Sequence, residues 1–133
     1  MNFRKAGAII LAVLFFHALG LIAGLYSFWD WYDVPMHFGG GLAMGALGIA
    51  LWQEGIDGIR FKGRLARHLE WWLVPVFVLG FVSSISIGWE FHEFLLDQVS
   101  LGVRQPSVAD TMADFFFDGA GGIAALFIWS KKT

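Results

Sequence analysis

Acidic residues inside a membrane helix constrain a fold more tightly than an apolar run can. The stretch Asp110-Thr-Met-Ala-Asp114-Phe-Phe-Phe-Asp118-Gly-Ala-Gly-Gly-Ile-Ala-Ala-Leu-Phe-Ile-Trp129 reads as such a helix. Its three aspartates recur at four-residue spacing. At about 100° per residue they lie along one face, drifting about 40° per step. Carboxyl groups at membrane depth are costly, so they turn inward towards a partner, water or an ion. The rest of the chain must supply what these aspartates face.

The composition agrees with a membrane setting. The chain is 57% hydrophobic, with mean hydropathy +0.64, above the range of soluble domains. Its 7 tryptophans and 14 phenylalanines suit lipid contact and interfacial aromatic belts. The absence of cysteine excludes disulfides and thiolate metal sites. A net charge of −2 gives no basis for nucleic-acid binding.

Apolar segments predict an all-α membrane protein, a four-helix transmembrane bundle forming one domain. The spans are expected at about 7–28, 35–52, 71–96 and 108–130. The first is too long for a signal-peptide core and ends in aromatics, so it reads as a retained helix. His17, near its middle, reads as a histidine satisfied by a neighbouring helix. Trp29 to Pro35 reads as an interfacial turn, with Pro35 in the first turn of span two. Gly41 and Gly45 form a small-xxx-small pair that admits a close helix neighbour. Asp33 and His37 share a face if that helix reaches back to Asp33.

Gln53 to Glu70 reads as the one substantial polar loop, carrying Arg60, Lys62, Arg64 and Arg67 beside the lipid surface. Span three opens on Trp71 and Trp72, with Pro75 expected in its first turn. Near its end Glu90, Glu93 and Asp97 fall within about 60° of one another, whereas His92 points elsewhere. Ser107-x-x-Asp110 resembles a capping box at the start of span four.

Four spans place Arg4, Lys5, the four loop cations, Lys131 and Lys132 on one side and only Arg104 on the other. The positive-inside rule then predicts that both termini are cytoplasmic. The acids separate the other way: Asp30, Asp33, Glu90, Glu93, Asp97, Asp110, Asp114 and Asp118 belong to the outer half. At about 1.5 Å per residue, Asp118 lies roughly 12 Å deeper than Asp110, and Glu90 roughly 10 Å deeper than Asp97. Spans two, three and four thus bring acids to similar depth. Such a cluster must protonate, pair with Arg104 or His37, open to water, or bind a cation. Asp33, His37, Glu90, Glu93, Asp114 and Asp118 are the candidate ligands. Carboxylate oxygens with one imidazole suit Mg²⁺, Mn²⁺, Ca²⁺ or Zn²⁺. A hydrogen-bonded cluster sharing protons is the other reading of the same residues.

Three ordered segments carry a family resemblance. Asp33-Val-Pro-Met-His37-Phe38 resembles the Asp-x-x-x-His-Phe signature of VanZ-like membrane proteins and the related YjdF-like bacterial membrane proteins. Trp89-Glu90-Phe-His-Glu93 is similar to the Trp-Glu-x-x-Glu segment of the YjdF-like group. Asp110-Thr111-x-x-Asp114-x-x-x-Asp118-x-x-Gly121 resembles the segment that opens their last helix. Val34 stands where VanZ-like proteins commonly have lysine, Glu93 where they have glutamine and Asp118 where they have asparagine, so the likeness is closer to the YjdF-like group. The resemblance implies a bacterial multi-pass inner-membrane protein and assigns no reaction.

Three functions fit these residues. An enzyme at the outer leaflet would act on a lipid-linked or envelope substrate, with His37, Glu90, Glu93, Asp114 and Asp118 as acid, base or metal ligands. A proton-coupled transporter would use the same groups as a relay, and four short spans would then require a homo-oligomer. A structural or accessory membrane protein would use them as a buried hydrogen-bonded staple.

Overall fold

The computed structural model describes residues 1–29, 31–56, 64–99 and 104–130, with the side chains of 64–71 excepted. Asp30, Asp57, Arg60, Lys62, Lys131 and Lys132 lie outside the described residues, as do the side chains of Arg64, Arg67 and Glu70. The sequence expectation about the cation distribution therefore falls largely outside them.

Every regular element among the described residues is helical. Helix α1 spans Phe3–Ile22, α2 Leu25–Phe28, α3 Asp33–Leu51, α4 Arg64–Val99 and α5 Val108–Trp129, with a π-helical turn at Trp52–Ile56 after α3. Among the described residues, four segments are long and apolar enough to cross a membrane: Phe3–Ile22, Asp33–Ile56, Trp72–Val99 and Val108–Trp129. The outer faces carry large exposed apolar side chains, among them Leu11, Phe15, Phe91 and Phe127. Water would penalise such a surface, whereas acyl chains match it.

Local signals explain the helix ends, and two boundaries differ from expectation. The Asn2 side chain accepts from the Lys5 N–H at 2.9 Å and caps α1. That helix stops at Ile22 rather than Phe28, because Gly24 takes a left-handed conformation (φ 68°) and turns the chain into α2. The apolar run continues through this break, so hydropathy alone does not mark it. Helix α4 begins at Arg64, ahead of its apolar segment, so Pro75 sits in the helix interior rather than the first turn. It removes one intrahelical hydrogen bond there. Residues from Arg64 onwards, in the segment read as a loop with room for a short surface helix, are helical and continuous with α4. Helix α3 does reach back to Asp33, placing Asp33 and His37 one turn apart, and Pro35 lies in its first turn. The Ser107 hydroxyl accepts from the Asp110 N–H at 3.1 Å at the start of α5.

Helix α3 is the central element. It packs closely on α5, and α1 and α4 flank it, while α4 also packs on α5. The main helix contacts do not include a direct α1–α4 pair. Glycines set the α3–α5 approach. A methyl group at Gly41 would collide with the backbone of Asp118, one at Gly45 with Ala125, and one at Gly121 with the backbone of Phe38 and Leu42. The expected small-residue contact at Gly41 and Gly45 is thus made, with α5 as the partner.

The two ends of the bundle differ. At the Met1 end, Ala6, Ala46 and Ala50 form one buried apolar cluster and Ile49, Val78 and Ala125 another, with Met1 and Trp129 packed against both. The Met1 ammonium donates to Gln53 Oε1 at 2.6 Å. The buried polar residues His37, Ser86, Glu90, Asp114 and Asp118 lie towards the other end, where α3 and α5 begin and α4 finishes.

Candidate functional site

His37 is the hub of that polar end. Its ring is buried, with 6% of the residue exposed. Nδ1 lies 3.3 Å from Asp118 Oδ2 in hydrogen-bonding geometry, and Asp118 Oδ2 also accepts from the Ser86 hydroxyl of α4. Nε2 lies 3.6 Å from Asp33 Oδ1 and 3.5 Å from Asp114 Oδ1. Three carboxyl groups from α3 and α5 therefore converge on one imidazole. The placement follows from periodicity. Asp33 and His37 are one turn apart on α3, as are Asp114 and Asp118 on α5, and the glycine contact brings the two pairs face to face. If all four groups were ionised, three carboxylates at −1 and one imidazolium at +1 would leave −2 in the bundle interior.

The remaining candidates divide. Glu93 stands on the wall of the adjoining cavity and accepts from Trp89 Nε1 at 3.0 Å. Glu90 is buried elsewhere: its Oε2 accepts from Gln105 Nε2 at 2.7 Å, its backbone carbonyl accepts from the same amide at 2.9 Å, and Oε1 has no hydrogen-bond partner among the described residues. Glu90 makes no hydrogen bond or ion pair with His37 among the described residues. Asp97 accepts from the backbone N–H groups of Arg104 and Gln105 at 2.9 and 3.0 Å and pairs with the Arg104 guanidinium at 3.3 Å. It organises the α4–α5 connection. The single face expected for Glu90, Glu93 and Asp97 therefore serves three different neighbourhoods.

Two cavities meet at the cluster. The inner one, about 220 Å³, has Asp33, His37, Asp118 and Glu93 at its polar end and Val13, Leu14, Val82 and Ile85 among its apolar walls. It lies between α1 and α4 with α3 as its floor. Leu14 and Ile85 are 51% and 43% exposed, so the cavity reaches the lipid-facing surface between those helices. The outer one, about 570 Å³, is bounded by His92, Arg104, Pro106 and Asp110 and shares His17, Tyr26, Asp33, Trp89 and Glu93 with the first. His92, expected to point away, contributes to this outer wall.

Several participants carry no clear sequence signal. His17 Nδ1 lies 2.6 Å from the Tyr26 hydroxyl, and the His17 ring meets Trp89 edge-on with centroids 5.5 Å apart. The expectation that His17 is satisfied by a neighbour holds, yet it also lines both cavities. Ser86 stands one helical turn before Glu90, which is the one pattern that could have marked it. Gln105 sits in a connection whose fold the sequence does not announce.

The chain matches the family described as "Predicted membrane protein (DUF2238)" over residues 4–132. It belongs to that family. With four membrane-crossing helices, it is a multi-pass protein of a lipid bilayer. No curated protein and no solved structure matches the chain.

Proposed function

We propose that the polar end of this bundle is a membrane-embedded site for an amphiphilic, lipid-linked substrate. The observation that carries this reading is the inner cavity: acid and imidazole at one end, apolar walls along its length, and an opening to lipid between α1 and α4. The substrate head sits at Asp33, His37, Glu93 and Asp118, and its chain lies against Leu14, Val82 and Ile85. Glu93, on the cavity wall, is the carboxyl placed to exchange a proton with the substrate head, while Asp118 holds the His37 ring in position. The charge bias of the sequence supports a reading in which this end faces outward and both termini are cytoplasmic, and the likeness to YjdF-like proteins supports an inner membrane.

A conduit reading fares less well on one observation. The apolar clusters around Ala46, Ile49, Val78 and Ala125 pack the Met1 end, and among the described residues the buried polar ones lie at the other end. The cavities therefore serve one side of the membrane.

Native mass spectrometry of the delipidated protein titrated with single lipids tests the proposal. One lipid per chain should bind. Ile85→Trp, which fills the cavity wall, should weaken binding at least tenfold, and Phe127→Trp on the outer face should not. Equal binding to both variants would sink the reading.

A further inference from the structure

We propose that Asp33, His37 Nε2 and Asp114 hold a divalent transition-metal ion, Mn²⁺ or Zn²⁺, at the head of the inner cavity. The inference goes beyond the lipid reading and can fail separately from it. One ligand atom from each of the three residues lies within 4.8 Å of the others. Nε2 stands 3.6 and 3.5 Å from the two carboxylate oxygens, in hydrogen-bonding geometry with neither. Metal–ligand bonds of 2.0–2.2 Å place neighbouring tetrahedral ligands about 3.4 Å apart, so the gap matches donors arranged around an ion.

The other ring nitrogen points the same way. His37 is more than nine-tenths buried and lines the cavity, with Nε2 turned to the Asp33 and Asp114 carboxylates that it pairs with. Its opposite nitrogen is tied to Asp118, which Ser86 in turn holds. A metal-bound histidine typically donates its second N–H to a carboxylate, which fixes the tautomer and aims the free lone pair at the ion. Asp118 and Ser86 thus position the ligand and do not bind the metal. The donor set of two carboxylates and one imidazole favours Mn²⁺ or Zn²⁺ over Mg²⁺ or Ca²⁺, which take oxygen ligands almost alone. A divalent ion would offset the surplus negative charge and give an anionic headgroup something to meet at an otherwise acidic wall.

The test uses full-length protein in nanodiscs, stripped with chelator and reloaded with Mn²⁺. One Mn²⁺ per chain should be retained, and its electron spin-echo modulation should show one directly bound imidazole nitrogen. His37→Gln should abolish that coupling; His17→Gln and His92→Gln should keep it. Asp118→Asn, which leaves all three ligands in place, should weaken Mn²⁺ binding about 10–100-fold. Substoichiometric metal, bound metal with no nitrogen coupling, or coupling that survives His37→Gln would overturn the site. Lipid binding by metal-free protein in that case would leave the lipid reading standing, whereas metal binding without lipid binding would do the reverse.

Discussion

At the Met1 end, α1, α3, α4 and α5 meet through Ala6, Ala46, Ala50, Ile49, Val78 and Ala125. At the other end α3, α4 and α5 meet through His37, Asp114, Asp118 and Ser86, and two cavities open there, with α1 along their walls. The first end is built of small apolar residues and fills its own space. The second holds carboxyl groups that a membrane interior penalises, together with empty volume that packing would ordinarily remove. A fold that needed only to persist would make both ends like the first. That difference is the reason we propose the second end as the functional site.

The comparison breaks most easily by moving an acid. Ala46→Asp places a carboxyl in the sealed end, away from the His37 cluster, and should cost about 3 kcal/mol or cause outright misassembly, read by thermal unfolding in detergent. An unperturbed variant would show that the sealed end tolerates charge and that the contrast is unimportant. The joint between the helices gives the next effect. Gly121→Ala drives a methyl into the backbone of Phe38 and Leu42 and should cost about 1–3 kcal/mol. Gly119→Ala meets nothing within 4 Å and should stay within about 1 kcal/mol of the parent. Equal losses would mean that the α3–α5 approach does not depend on Gly121.

Smaller effects sharpen the polar end. Asp118→Asn keeps shape and hydrogen-bonding capacity, so stability should change by no more than about 1 kcal/mol while metal affinity falls. A loss of stability as large as that of Ala46→Asp would return the cluster to the role of a structural staple. Asp97→Asn should leave both metal and lipid binding unchanged, since Asp97 holds Arg104 and Gln105 rather than His37. A loss of Mn²⁺ binding in that variant would extend the site along α4.

Periodicity made much of this arrangement readable in advance. The apolar runs set the four membrane helices, and turn spacing put Asp33 with His37 and Asp114 with Asp118. Gly41 and Gly45 announced a close helix neighbour, although spacing could not say which helix it would be. What stayed hidden depends on contacts distant in sequence. Glu90 and Glu93 share a helix face, yet Gln105 claims one and Trp89 holds the other. Ser86 is a small hydroxyl in an apolar helix until Asp118 arrives 32 positions later. The break at Gly24 falls within a continuous apolar run, so only its left-handed backbone reveals it.

In the function proposed here, an amphiphile enters between α1 and α4 with its head at the acid and imidazole cluster. Photo-crosslinking in proteoliposomes with a lipid carrying a diazirine in its acyl chain tests this most directly, with labelled peptides mapped by mass spectrometry. Labelling should concentrate on the cavity walls at Val13, Leu14, Val82 and Ile85, and excess unlabelled lipid should compete it away. Phe127, 83% exposed on the outer surface, should label only weakly and without competition. Labelling that follows surface exposure alone, equal at Phe127 and Ile85 and insensitive to competitor, would contradict the account.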